Sequence, residues 1–134
     1  MKTKIIIAGS RNFNNYSIAR KYFVDLLERI MLDFNISITE LEIVSGCAQG
    51  ADRIGERLAN EFKIKVHKMP AQWDLFGKRA GYVRNEEMAK YAMTDAKGFL
   101  LAFDDGESRG TNHMIDLADK HNLIPFVILY KNIK

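Results

Sequence analysis

The segment GFLLAFDDGESRGT, residues 98–111, joins an uninterrupted apolar run to a polar, glycine-rich loop. A helical pattern follows at residues 113–121, so the segment predicts a strand, a tight loop and a helix in succession. Such a loop aims backbone N–H groups and the positive end of a helix dipole at one point, an environment that favours a phosphate. The alternative is an ordinary helix start with a Ser or Thr cap, and the loop alone does not decide between them.

Five residues of this loop are candidate ligand contacts. Gly106 and Gly110 allow a backbone with positive φ and close approach of a ligand. Ser108 and Thr111 add hydroxyl donors, and Arg109 adds a guanidinium group that can bind two phosphate oxygens at once.

The rest of the chain alternates strand patterns with helix patterns. Strands are predicted at residues 4–8, 41–45, 64–69, 97–103 and 125–130. Helices are predicted within residues 19–34, 51–62, 80–92 and 113–121, and residues 71–79 are predicted as a loop. Unbroken alternation predicts an α/β fold with a five-stranded parallel sheet and helices on both faces, as one domain over residues 1–134.

Two other strand ends carry the same chemistry as the central loop. The candidates there are Gly9, Ser10 and Arg11 after the first strand, and Ser45, Gly46, Gln49 and Asp52 after the second. Because ligands of open parallel sheets bind beyond the carboxyl ends of the strands, three such loops together predict a phosphate-bearing ligand. The chain lacks G-x-G-x-x-G after the first strand and lacks G-x-x-x-x-G-K-[ST], which excludes a conventional dinucleotide dehydrogenase and a P-loop NTPase.

Composition narrows the class of protein further. No apolar run approaches the roughly 20 residues that span a bilayer, and the single cysteine, Cys47, excludes an internal disulfide and suits a reducing cytoplasm. The net charge of +3 is spread among acidic residues, so nucleic-acid binding is not expected. The three histidines lack the spacing of metal ligands, so neither a metal nor a resident cofactor is expected.

Five ordered motifs resemble the YspA-like branch of the SLOG superfamily. They read IAGSR at residues 7–11, VSGCAQGAD at 44–52, PAQW at 70–73, AGYVRNEEM at 80–88 and SRGT at 108–111. The superfamily includes cytokinin-activating LOG phosphoribohydrolases, DprA-type DNA-processing proteins and sensor domains for NAD-derived signals in antiviral defence. The resemblance implies a Rossmann-like fold with a nucleotide-type ligand at the strand ends.

The resemblance also implies roles for particular residues. Arg84 and Asn85 match an Arg-bearing helix, where Arg84 would clamp a phosphate or ribose, and Arg11 would act similarly; the alternative is a solvated arginine. Asp52 would bind a ribose hydroxyl or only favour a helix dipole. Trp73 would stack on a base or cover the edge of the core.

Two positions depart from the family pattern. LOG enzymes carry P-G-G-x-G-T-x-x-E with a catalytic glutamate, and alignment on Gly110 and Thr111 puts Met114 at that position. A thioether cannot act as an acid or base, so hydrolysis of the LOG type is not expected. Cys47 occupies a position that is usually glycine. If the protein is an enzyme, its candidate catalytic residues are Arg84, Glu87 and Glu107.

Three functions remain open at this point. The first is binding of a nucleotide-derived signal, such as an ADP-ribose or NAD derivative or a cyclic nucleotide, by a sequestering protein or accessory sensor. The others are a phosphoribohydrolase or N-glycosidase acting on nucleoside monophosphates, and a DprA-like binder of single-stranded DNA. A homodimer or higher homo-oligomer is also expected, from the apolar residues Tyr82, Met88, Tyr91 and Met93.

Overall fold

The computed structural model describes residues 3–94 and 97–133. The strands are β1 Thr3–Gly9, β2 Leu41–Ser45, β3 Lys65–Lys68, β4 Gly98–Asp104 and β5 Ile124–Leu129. The α-helices are α1 Tyr16–Asp33, α2 Ala51–Phe62, α3 Trp73–Phe76, α4 Ala80–Ala92 and α5 Arg109–Lys120. Short 3₁₀ helices at Ile38–Glu40, Gly77–Arg79 and Tyr130–Asn132 complete the elements of the described chain.

All neighbouring strands are parallel, in the order β3-β2-β1-β4-β5. Helices α1 and α2 cover one face through side chains such as Phe23 and Leu58, and α4 and α5 cover the other through Met88 and Met114. The predicted α/β fold is therefore confirmed. The chain moves outward from β1 to β2 and β3 and then crosses to β4, so strand order reverses beside β1, where open sheets bind ligands.

The predicted bounds of β1, α1, β3 and β4 differ from the structure by one to three residues, and the differences in α5, residues 71–79 and β5 are as follows. Helix α5 begins at Arg109 and not at residue 113, because the Ser108 hydroxyl oxygen accepts the N–H of Thr111 at 3.3 Å and caps the helix. The predicted loop at residues 71–79 contains α3. Its turn is stabilised by the N–H groups of Leu75 and Phe76, which both donate to the Gln72 carbonyl at 3.0 Å. The last strand ends at Leu129, one residue before the prediction.

A glycine holds the first two strand-end loops against each other. Gly50 has φ +81, and a Cβ there would lie 2.4 Å from the carbonyl oxygen of Ser10 and 2.6 Å from that of Arg11. The next N–H, of Ala51, donates to the Ser10 carbonyl at 3.3 Å. Only glycine combines this backbone conformation with this close approach.

The apolar residues behind the predicted self-association are mostly covered within the chain. Met88 is buried, and Tyr91 and Met93 are half-buried against the same core. Tyr82, at 47% exposure, is the one member of the four that stays open to solvent. The interpretation of this helix as an apolar contact face is therefore wrong for Met88, and the oligomeric state stays a prediction. None of the helices in the described ranges has the length and apolar character needed to cross a bilayer.

Replacing Gly50 by alanine should lower the free energy of unfolding by about 2 kcal/mol or more, because the side chain forces strain onto a left-handed backbone and meets two carbonyl oxygens. Gly110→Ala is the matched control, since a Cβ there meets nothing within 4 Å inside helix α5. That variant should be neutral or stabilised by up to about 1 kcal/mol. Urea unfolding of both variants measures the difference, and equal losses would contradict the role given to Gly50.

Candidate functional site

A cleft of about 580 Å³ opens at the carboxyl ends of β1 and β2, beside helix α4. Five of the predicted contacts line it: Arg11, Gly46, Gln49, Trp73 and Arg84. The remaining lining residues are Cys47, Ala48, Arg53, Pro70 and Ala71. The cleft therefore gathers the first four of the five motifs and three arginines on one rim.

A smaller cavity of about 80 Å³ lies against this cleft and shares Arg11, Ala48 and Arg84 with it. Six further predicted contacts line the small cavity: Gly9, Asp52, Asn85, Ser108, Gly110 and Thr111. Met114, which stands at the position of the LOG glutamate, lines the same cavity together with Met88 and Ala8. The fifth motif thus reaches the site from the start of α5.

Four predicted contacts line neither cavity. The buried Ser10 hydroxyl shares a hydrogen bond of 2.7 Å with the Tyr130 hydroxyl. The buried Ser45 hydroxyl donates to Glu56 Oε2 at 2.6 Å and accepts the N–H of Cys47 at 3.1 Å. Gly106 and Arg109 are exposed outside the cavities. A direct ligand contact by these four residues stays a prediction.

The two candidate glutamates are separated from the small cavity. The Glu107 side chain is 82% exposed and lies 4.0 Å from Lys131 Nζ. Glu87 lines a third cavity of about 210 Å³, which shares Pro70 and Arg84 with the main cleft. Neither carboxylate lines the cavity that holds Met114.

The Arg84 guanidinium group is anchored by its neighbours. Its Nη1 donates to the Gly46 carbonyl, and its Nε donates to Asn85 Oδ1 at 2.9 Å. Burial lowers the pKa of Arg84, while the negative charge of Asp52 opposes that shift. Asn85 Nδ2 in turn lies 3.2 Å from His113 Nδ1 on α5. The guanidinium is therefore fixed in place and desolvated, as a specific anion clamp requires.

Gly46 leaves space for the side chains of Arg84 and Asp52 beside the backbone of the second loop. A Cβ at that position would lie 2.6 Å from Arg84 Nη1 and 2.8 Å from Asp52 Oδ2. The neighbouring Cys47 has φ +64, which lies in the left-handed region that favours glycine. The second loop is thus shaped by small or absent side chains.

Asp52 is the buried acid of the site. Burial raises its pKa to about 6, against the opposing effects of the Ala48 N–H, which donates to Oδ2 at 3.1 Å, and of the Arg84 charge. A carboxyl group that titrates in this range can exchange a proton near neutral pH, and when ionised it can accept a hydroxyl hydrogen bond.

The loop before α5 is bonded internally. Asp104 Oδ1 accepts the N–H of Gly106 at 2.9 Å, and Asp105 Oδ1 accepts those of Glu107 and Ser108, both at 2.8 Å. These backbone donors lower the pKa of the Asp105 carboxyl group. Three N–H groups of the predicted phosphate loop, those of Gly106, Glu107 and Ser108, thus point at the chain's own carboxylates. First-turn amides have no partner inside a helix, so those of Arg109 and Gly110 remain for a ligand.

Arg53 is the functional candidate that the sequence interpretation missed. It lines the main cleft and lies 3.3 Å from Glu56 Oε1. In the sequence, Arg53 directly follows Asp52, the last residue of the second motif, and this position is the signal that could have identified it. Within the described residues, no group of three or more His, Cys, Asp and Glu side chains is placed to hold a metal ion.

Comparison with known proteins agrees with the motifs. A family model described as the YspA, cpYpsA-related SLOG family matches residues 3–76. The Gene 61 protein of Mycobacterium phage D29 is 34% identical over 122 residues, which cover 87% of this chain and 89% of that protein. No solved structure matches the chain significantly. The resemblance drawn from the motifs is confirmed, and the name of the phage protein states no activity.

Asp52 should make stability depend on pH with a sign opposite to that of most carboxylates. Its folded pKa of about 6 lies above the ordinary value of 3.8, so the unfolded chain loses the proton first as pH rises. Its contribution to the free energy of unfolding therefore falls as pH rises from 3.8 to about 6 and stays low above that range. Relative to the unmodified protein, Asp52→Asn should gain about 2 kcal/mol between pH 4 and pH 7, at about 1.4 kcal/mol per pKa unit over the part of the shift in that range.

Urea unfolding at both pH values measures this difference. Asp105→Asn is the contrasting control, because the pKa of Asp105 is lowered and its stabilising effect is lost as pH falls. Because Asp105 titrates below its ordinary pKa of 3.8, the stability of that variant relative to the unmodified protein should change little between pH 4 and pH 7, and the variant should lose its disadvantage only at lower pH. A pH-independent difference for Asp52→Asn would contradict the raised pKa.

Proposed function

This chain belongs to the YspA, cpYpsA-related SLOG family, and we propose that it binds a nucleotide-derived small molecule at the carboxyl ends of β1 and β2. The ligand class is an ADP-ribose or NAD derivative, or a cyclic nucleotide-like signal. The protein acts as a sequestering protein or an accessory sensor, and both roles need only reversible binding at this cleft.

One observation carries the proposal: three guanidinium groups and one indole line the same cleft. Arg11, Arg53 and Arg84 come from three different segments, and Trp73 comes from α3. Arginines suit the oxygens of phosphate groups, and a tryptophan face suits a nucleobase. A diphosphate-linked nucleotide carries both chemistries in one molecule, and about 580 Å³ is within the range of small-molecule sites.

The small cavity supplies contacts of another kind. Asp52 accepts hydroxyl hydrogens when ionised, while Asn85 and Thr111 bring an amide and a hydroxyl. A ribose between the arginines and α5 would find acceptors and donors there. Binding of this kind needs no general acid or base, which agrees with Met114 at the LOG glutamate position.

Asp52 is also the reason to retain a hydrolase as the second candidate. It is the carboxyl group that lines the cavity of Met114, and its pKa of about 6 suits general acid or base catalysis. A phosphoribohydrolase built on this chain would use Asp52 in place of the missing glutamate. Glu87 and Glu107 are less suited to that role because they lie outside the cavity.

Arg84→Ala should weaken binding of ADP-ribose by about 1–3 kcal/mol, the usual cost of losing a charge-assisted hydrogen bond. Arg84→Lys should restore part of the loss, because an ammonium group cannot form the two-pronged contact. Isothermal calorimetry measures both, with Arg57→Ala as control, since Arg57 is on α2 but packs over the Tyr16 ring. Equal affinity of all four proteins would contradict a clamp at Arg84. If none of the four proteins binds ADP-ribose, mass spectrometry identifies the nucleotide that is released from the purified protein. That nucleotide then replaces ADP-ribose in the calorimetry.

Incubation with adenosine monophosphate should release little or no adenine, and any bound nucleotide should be recovered intact after heat denaturation. The reason is that losing one catalytic acid or base typically forfeits about 10²–10⁴-fold in rate. Met114→Glu should raise any residual release, which chromatography of free adenine measures. Efficient release by the unmodified protein, abolished in Asp52→Asn, would replace the binding proposal with the hydrolase.

A further inference from the structure

The two edges of the sheet are protected very differently. β3 has four residues and carries an exposed lysine at each end, Lys65 and Lys68. β5 has six residues, Ile124–Leu129, and none is charged. Val127 is 38% exposed and Leu129 48% exposed on this edge strand. Natural sheets normally block an exposed edge with charge or proline, and β5 has one proline, Pro125, near its start. Residues 126–129 carry neither, so this uncharged part of the edge points to a partner.

The other face of β5 carries an apolar groove. A cavity of about 270 Å³ lies between β5 and α1, with Leu26 and Leu101 at its base and Phe126 and Ile128 on the strand side. Apolar side chains therefore stand open on both faces of one edge strand, which is the arrangement of a strand continued by another strand.

Two charges of opposite sign stand on the rim of this groove. Asp25 and Arg29 are exposed and one helical turn apart on α1, and both line the groove. The Arg29 guanidinium lies 5.6 Å from the centre of the Phe126 ring. A two-fold axis across β5 reverses the direction of α1 in the second copy. Asp25 of one copy then faces Arg29 of the other, so the rim is complementary to itself.

We propose that β5 pairs antiparallel with β5 of a second copy of this chain, joining two five-stranded sheets into one of ten strands. The partner strand belongs to a second copy of this chain. In a two-fold arrangement, one and the same surface supplies both of the opposite charges and both of the apolar faces that meet. This interface is independent of the ligand cleft and does not use Tyr82.

Pro125 indicates which backbone groups of β5 face outward. A proline within a sheet lies where its missing N–H would face away from the neighbouring strand, so Pro125, Val127 and Leu129 direct their backbone groups outward from β4. Val127 then pairs with Val127 of the second copy on the two-fold axis, exchanging two hydrogen bonds. The Leu129 N–H donates to the Pro125 carbonyl on each side. The Leu129 carbonyl opposite each Pro125 has no donor within the pair, so the register centred on Val127 makes four hydrogen bonds between the two strands.

Val127→Lys tests the axis, because it places two like charges directly opposite each other. Analytical ultracentrifugation of the full chain should show a dimer for the unmodified protein and a dissociation constant about tenfold or more higher for the variant. Leu75→Lys is the matched control, since Leu75 is 69% exposed on α3, away from β5. It should dimerise like the unmodified protein, and circular dichroism verifies the fold of each variant.

Charge reversal on α1 keeps the test valid even if a lysine in β5 harms folding. Asp25→Arg and Arg29→Asp should each weaken the dimer, whereas the double variant should restore it because the two charges still face their opposites. Hydrogen exchange tests which backbone groups of β5 face the partner. The N–H groups of Val127 and Leu129 should be protected only at dimer-forming concentrations. Those of Phe126 and Ile128, directed at β4, should be protected at every concentration.

Each of three results overturns the proposal. The first is a monomer for the unmodified protein at concentrations of tens of micromolar. The second is a dimer that neither Val127→Lys nor the single charge reversals weaken. The third is a dimer in which protection of Val127 and Leu129 does not change with protein concentration.

Discussion

The site depends on the contacts of the half-buried Arg84 guanidinium. It joins α4 to the loop after β2 through the Gly46 carbonyl, is held by its neighbour Asn85 on α4, and interacts electrostatically with the carboxyl group of Asp52. A buried charge is tolerated only where hydrogen bonds and an opposite charge offset the loss of water. Asp52 opposes the lowering of the Arg84 pKa, and Arg84 opposes the rise of the Asp52 pKa. A ligand phosphate entering this cleft would therefore compete with Asp52 for the same guanidinium, so the charge of Asp52 adjusts how strongly the site attracts anions.

The sheet topology explains why these groups meet at all. β1 is the central strand, and the loops after β1 and β2 contact each other through Gly50. Arg11 is thereby placed beside Ala48, and the same two residues line both cavities. The cavity that holds Met114 is completed from the other side by α5, whose start is fixed by the Ser108 cap. The site is thus built from short loops and a helix start that the parallel sheet brings together at one edge.

Local patterns in the sequence were sufficient for most of the fold and for part of the site. The bounds of β2, α2 and α4 agree with the prediction, and glycines mark the end of β2 and the start of α2. The start of α5 was missed because its first turn is polar and shows no apolar period. The internal bonding of residues 104–108 depends on side-chain rotamers, and the contact of Ser10 with Tyr130 joins residues 120 positions apart. Neither kind of contact leaves a signal in a sequence pattern.

The proposed β5 pairing has a consequence for how the two clefts work. Antiparallel strands run in opposite directions, so the carboxyl ends of the two joined sheets face opposite edges of the ten-stranded sheet. Each cleft is formed at the carboxyl ends of its own β1 and β2, and β4 and β5 separate those strands from the axis. No residue of one cleft would then contact the ligand of the other. A dimer of this kind binds one ligand per chain at separate sites, so any coupling between them would have to pass through the sheet itself.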